Sequence, residues 1–238
     1  MAIKFTTTAD SSDTVNVLVY GESGLGKTVL GATAPNPIII SSERGLMSIA
    51  EHDIPVIEVS SLDDFNDAYI YIRDKGIKQF DTVVLDSISD IAEAALSELL
   101  RTNKDGRKAY GTLNTEIAGL IRKFRDLDMN AYFIAKAQTY ESASGLTCLQ
   151  PAMPGKTLVK DLPYFFDIVL VLRIKEIEDP DDSDRVKKVR YLQTERDLTY
   201  EAKDRSNKLA PIEEPNLTKL FAKIGGGTNV KKKKKKKK

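Results

Sequence analysis

Gly21-Glu22-Ser23-Gly24-Leu25-Gly26-Lys27-Thr28 is a complete G-x-x-x-x-G-K-[ST] stretch, and its flanks decide how the rest of the chain reads. An apolar run at residues 15–20 precedes it, and a helix-compatible stretch begins at Lys27. That is the strand-loop-helix setting in which such a loop cradles phosphate. The glycines let the backbone curl with N–H groups inward, and the following helix adds its positive N-terminal end. Lys27 supplies a point charge for β- and γ-phosphate oxygens, and Thr28 a hydroxyl for the Mg²⁺ that bridges them. The nucleotide contacts expected from this motif are Gly21, Glu22, Ser23, Gly24, Leu25, Gly26, Lys27, Thr28 and the next residue, Val29. A nucleoside triphosphate, ATP or GTP, is the implied ligand.

Working outward, short β-branched runs alternate with amphipathic stretches. Residues 37–41, 56–59, 82–85 and 131–137 read as strands. Helices are expected over residues 27–34, weakly over 46–52, over 63–75, after Asp86, and over the clearly periodic run from Leu113 to Leu127. Strand-helix alternation through residue 137 predicts an α/β fold: a mainly parallel sheet flanked by helices. Residues 168–174 and 186–193 flank Asp179-Pro180-Asp181-Asp182 and read as an antiparallel hairpin extension. Residues 216–224 read as a terminal helix. Residues 138–160, broken at Gly145, Pro151 and Pro154-Gly155, read as a long irregular segment of the kind that carries function. One domain is expected over residues 1–224, with its core at about 14–210 and a flexible tail at 225–238.

The formal charge of +1 conceals an acidic body. Eight positive charges are the lysines of residues 231–238, so the remainder carries +1 − 8 = −7. That run reads equally as an electrostatic attractor of nucleic acid and as an added solubility or purification tail. The apolar runs are far shorter than the ~20 residues of a membrane span. No secretory leader is legible, so no membrane association and a cytoplasmic location are expected. Cys148 is the single cysteine and His52 the single histidine, which gives neither an internal disulfide nor metal-ligand spacing.

A second chemical element lies at Thr82-Val83-Val84-Leu85-Asp86-Ser87. An apolar strand delivers one carboxylate at its C-terminal end, where open α/β sheets bind ligands. Asp86 there can hold Mg²⁺ as the Walker B acid does. Asp86-Ser87 resembles the Walker B ending of RecA-like ATPases. The segment Ile38-Ile39-Ile40-Ser41-Ser42-Glu43-Arg44-Gly45-Leu46 resembles the strand and loop that carry the water-activating glutamate in that family. Taken alone, Glu43 reads as a partner of Arg44 or a solvent-facing residue; the resemblance implies a catalytic base. Ala202-Lys203-Asp204-Arg205 resembles the Lys-x-Arg pair with which one subunit reaches the γ-phosphate held by its neighbour. Lys203 and Arg205 are then catalytic in trans, and the chain a homo-oligomer with inter-subunit ATP sites.

The order of these motifs is similar to compact bacteriophage RecA-like ATPases of the single-strand annealing group, the phage nucleotide-binding AAA-type family. That resemblance implies single-stranded DNA binding and annealing or strand exchange beside a phage single-strand binding protein, in the host cytoplasm. Two departures stand out. The strand at 131–137 lacks the family's usual polar sensor; Lys136 or Gln138 takes that place. No separate DNA-binding or polymerisation domain is legible. DNA is expected on Arg101, Lys104, Arg107, Lys108 and Tyr110 in the segment 101–111, and on Tyr140, Lys156 and Lys160 in 138–160. Rival readings are a nucleotide-dependent switch or loader, a helicase-type motor and a small-molecule kinase. The last is disfavoured because residues 138–160 contain no arginine.

Overall fold

Runs rich in valine and isoleucine pair into one sheet whose central strands are covered on both faces. The structure, a computed structural model, describes residues 14–43, 46–179 and 182–225. Residues before 14, Arg44 with Gly45, Pro180 with Asp181, and residues after 225 lie outside the described residues. In chain order the elements are β1 (Asn16–Gly21), α1 (Lys27–Ala32), β2 (Pro37–Ser41), a 3₁₀ turn at Met47–His52 and β3 (Val56–Glu58). Next come α2 (Leu62–Asp74), β4 (Thr82–Asp86), α3 (Ile88–Thr102) and α4 (Gly106–Arg125). Then follow β5 (Asn130–Glu141), β6 (Thr147–Pro151), α5 (Lys156–Asp161), β7 (Ile168–Asp179) and β8 (Asp182–Gln193). The last elements are β9 (Lys203–Asp204), β10 (Ile212–Glu213) and α6 (Leu217–Ile224).

Strand order is β10-β8-β7-β1-β5-β4-β2-β3, with β6 paired to β5 and β9 to β7. The strands from β7 to β3 across the centre run parallel, while β7 and β8 form an antiparallel hairpin. This is the mixed α/β arrangement that the alternation predicts, hairpin extension included. Leu18, Tyr20, Val83, Leu85 and Phe133 face a core built with α2, α3 and α4. Their neighbours Val17, Val19, Val84, Tyr132 and Ile134 face a second core with α1 and α6. Burial on both faces is why these strands read as unbroken apolar runs rather than alternating ones.

The second core fixes the helix that carries the glycine loop. Gly31 lets α1 lie close to the sheet, since a Cβ there would come within 3.1 Å of Val84 Cγ1 and 3.4 Å of Tyr132 Cε1. The buried Tyr132 hydroxyl donates to the Lys27 carbonyl at 3.0 Å. At the other end, Thr33 Oγ1 accepts from the Leu217 amide at 2.8 Å, and the Thr33 carbonyl from Thr218 Oγ1 at 2.6 Å. A six-residue helix is too short to hold itself together in water; here both of its ends are bolted to other elements.

Two expected loops are different in the structure. Residues 101–111 are mostly helical: α3 runs to Thr102, Asp105 caps α4 by accepting from the Arg107 amide at 2.9 Å, and α4 begins at Gly106. Ala109, Leu113 and Ile117 bury one face of α4, and that packing outweighs Gly106 and Gly111. Residues 138–160 are ordered as the end of β5, the returning strand β6 and the start of α5. Among the described residues, no helix is long and apolar enough to cross a membrane.

Candidate phosphate-binding site

The loop between β1 and α1 owes its shape to three glycines. Gly24 and Gly26 have φ of 77° and 93°, the left-handed region that side chains resist. Gly21 is needed for space: a Cβ there would stand 2.9 Å from the Leu172 carbonyl oxygen. The loop borders an open cavity of about 570 Å³, the size of a small-molecule site. Gly21, Glu22, Ser23, Gly24, Gly26, Lys27, Thr28 and Val29 all line it, together with Glu43, Asp86, Ser87, Asp90, Lys136 and Arg190. Leu25 instead turns toward an adjoining cavity with Tyr20 and Tyr200.

Three strand ends bring the charges together. Lys27 Nζ donates to the carbonyls of Gly21 at 2.8 Å and Glu22 at 2.7 Å. Thr28 Oγ1 donates to Asp86 Oδ2 at 2.6 Å. Asp86 is only 6% exposed at the end of β4, and the peptide bond that follows it is cis. Burial pushes the Asp86 carboxyl above its ordinary pKa, and the Thr28 hydroxyl and Lys27 charge pull the other way. Burial likewise lowers the Lys27 ammonium, opposed by Asp86 and Glu43. Burial thus disfavours the charged form of both groups, and a phosphate beside Lys27 would favour its ammonium.

Glu43, just beyond β2, faces the same cavity, which Asp90 and Asp86 also line. Its carboxyl is raised, first by partial burial and then by the charges of Asp90 and Asp86, with Lys136 opposing. Asp90 accepts from Ser87 Oγ and pairs with Lys136 Nζ at 2.5 Å; Glu93 holds the same ammonium at 2.9 Å. Of the two sensor alternatives, only Lys136 lines the cavity. Gln138 lies two residues further along β5, where the strand has left the sheet to pair with Gln150 of β6. It lines a different cavity, with Tyr140 and Met153. Gln138 therefore stands apart from the loop cavity, on the part of β5 that pairs with β6.

Lys203 and Arg205 lie far from the loop of their own chain. Lys203 pairs with Val169 and Asp204 with Ile168, level with Leu18 and Val17 of β1, whereas the loop leaves the far end of β1. Arg205 ion-pairs with Asp167 at 3.1 Å beside a cavity of about 490 Å³ that includes Arg125 and Tyr164. The cations named for DNA, Arg101, Lys104, Arg107, Lys108, Lys156 and Lys160, are exposed. Tyr110 packs over Gly155, so the two segments named for DNA adjoin. The Tyr140 hydroxyl is committed to Glu201 at 2.6 Å.

Asp90 and Arg190 are the charged cavity residues that motif reading missed. Asp90 sits three residues after Ser87, the N-cap of α3, a capping-box-like spacing that could have flagged it. Arg190 is brought in by the hairpin register and leaves no local signal.

A mainly parallel sheet with this loop at the end of its first strand, and a buried carboxylate bonded to the loop threonine, defines a P-loop nucleoside triphosphatase. The AAA domain family matches residues 13–206, and the chain belongs to that family. No curated protein matches the chain. Among solved structures, it is similar to a KaiC-like protein from the hyperthermophilic archaeon Pyrococcus horikoshii. The two share 16% identity at a TM-score of 0.44, over 75% of this chain and 78% of that one.

Proposed function

We propose that the chain is a Mg²⁺-dependent RecA-like ATPase that binds single-stranded DNA and promotes annealing or strand exchange in phage homologous recombination. The observation that supports it is the convergence on one cavity of Lys27, Thr28, Glu43 and Asp86 from three strand ends. Lys27 leaves its two carbonyl partners for the β- and γ-phosphate oxygens, and the loop amides cradle them. Thr28 and Asp86 offer a hydroxyl and a carboxylate 2.6 Å apart, hard oxygens that suit Mg²⁺. The ion, when bound, offsets phosphate charge. Glu43 orients the attacking water and takes its proton; its raised carboxyl makes it a stronger base than an ordinary glutamate. Lys136 stands at the cavity wall as the γ-phosphate sensor.

Lys203 and Arg205 complete the site of a neighbouring copy, because their own loop lies at the opposite end of β1. Single-stranded DNA runs over the exposed cations at the α3–α4 junction and the adjoining start of α5. The test is ATP hydrolysis with and without single-stranded DNA, alongside mass measurement with a nonhydrolysable analogue. Stimulation by DNA and an oligomer are the expected results. A rate indifferent to DNA would point instead to a nucleotide-dependent loader or switch, and no hydrolysis at all would sink the ATPase assignment.

A further inference from the structure

The cations around the loop cavity are not equally committed. Lys27 is engaged by two carbonyls, and Lys136 is neutralised by Asp90 and Glu93. Arg190 is different. It reaches the loop from β8, 165 residues along the chain, and donates Nε to the Leu25 carbonyl at 2.7 Å. It lies against Gly26, where an added Cβ would stand 3.4 Å from that nitrogen. It lines the same cavity as Lys27 and Thr28, and among the described residues no carboxylate pairs with it. The side chain is exposed, so burial does not hold it there. With Nε on the loop, both terminal nitrogens remain to donate, and a guanidinium fork matches two phosphate oxygens.

We propose that Arg190 is a nucleotide-binding residue supplied in cis, pairing its terminal nitrogens with the phosphate chain of a nucleoside triphosphate on the loop. This cation is separate from Lys203 and Arg205, which lie at the other edge of the sheet. Its position on the β7–β8 hairpin adds a consequence. Arg190 stands opposite Ile174, so a phosphate held by its guanidinium fastens the hairpin to the occupied loop. Nucleotide binding then becomes legible at a distance, in the backbone of β7 and β8.

The inference rests on nucleotide binding at the loop, and the experiment separates the two. Titrate ATP and ADP by calorimetry into the full chain and into R190A, R190Q and R190K, with circular dichroism as the check of fold. Expected are losses of about 10- to 100-fold for R190A and R190Q, the range of a lost charge-assisted hydrogen bond. R190K should fall between, having the charge without the fork. Glutamine can still donate to the Leu25 carbonyl, so wild-type affinity in R190Q would overturn the phosphate contact. Hydrogen exchange gives the second readout: ATP should slow amides of residues 174–179 and 186–190 in the wild type and not in R190Q. Equal protection in both would overturn the coupling. A wild-type chain that binds no nucleotide would sink the proposed function itself, whereas binding unaffected by R190Q would sink this inference alone.

Discussion

The two edges of the sheet carry similar numbers of charges and treat them differently. At the edge where β1, β2 and β4 end, Lys27, Glu43, Asp86, Asp90 and Lys136 share one cavity, and several are pushed off their ordinary pKa. At the edge where β1 and β7 begin, cations and carboxylates pair off: Arg205 with Asp167 and Arg125 with Asp126. The Arg205–Asp167 side chains are 55% and 76% exposed. Exposed pairs of that kind contribute only about 0–1 kcal/mol, so they can be exchanged for another partner at little cost. The first edge gathers its charges round one cavity, and the second leaves its cations in solvated pairs.

The largest expected effect breaks the comparison most directly. Lys27→Ala should weaken ATP binding by roughly 100-fold, the upper range for losing a hydrogen-bonded charge. Arg205→Ala, in the same assay at subunit concentrations too low for assembly, should leave affinity within about twofold of wild type, since a distant exposed side chain has no route to that site. Comparable losses in both variants would mean that the two edges are not separable.

The next effect sharpens it, because the edges should meet between copies. A head-to-tail assembly puts one edge against the other. Lys27→Ala and Arg205→Ala proteins should each lose hydrolysis. Mixed in equal amounts, about a quarter of the junctions join an intact loop to an intact Arg205, by random pairing across a heterologous interface. Hydrolysis should therefore recover to about a quarter of the wild-type rate. A mixture no better than either component would remove the trans role of Arg205.

How far this division was legible in sequence depends on how local its causes are. The glycine loop, the Asp86 strand and the strand-helix alternation were legible because motif and periodicity are properties of neighbours in the chain. The helical start of α4 was not. Gly106, Gly111 and a cluster of cations read as a loop, while the burial of Ala109, Leu113 and Ile117 that overrides them is tertiary. The β5–β6 pairing was missed because each strand is anchored by the other and by the Leu149 amide bond to the Thr199 carbonyl at 2.6 Å. Arg190 shows the limit most clearly. In Val186-Lys187-Lys188-Val189-Arg190 any cation could have faced the loop, and only the pairing of Arg190 with Ile174 decides which one does.

A smaller effect tests the electrostatics of the loop edge. Glu43 is raised by partial burial and by the neighbouring Asp90 and Asp86 charges. As the base, it works ionised, so hydrolysis should fall as pH drops through its raised pKa. Asp90→Asn removes one negative neighbour and one of the two carboxylates that hold Lys136, and both changes favour the ionised form. The acidic limb of the pH-rate profile should move to lower pH in this variant. An unmoved limb would show that Glu43 does not set it.

The smallest expected effect belongs to the other edge. Asp167→Asn should change unfolding free energy by less than about 1 kcal/mol, since both partners are solvated. The Arg205 amide would still donate to the Asp167 carbonyl at 3.1 Å, so the backbone that presents Arg205 stays in place. Hydrolysis by the assembled protein should be retained or raised, because Arg205 no longer has to leave a carboxylate before it reaches a phosphate. Chemical denaturation and steady-state hydrolysis on the same sample separate the outcomes. If the substitution costs several kcal/mol, or lowers hydrolysis tenfold with folding intact, then Asp167 builds this edge, and the picture of cations held there for a neighbour is wrong.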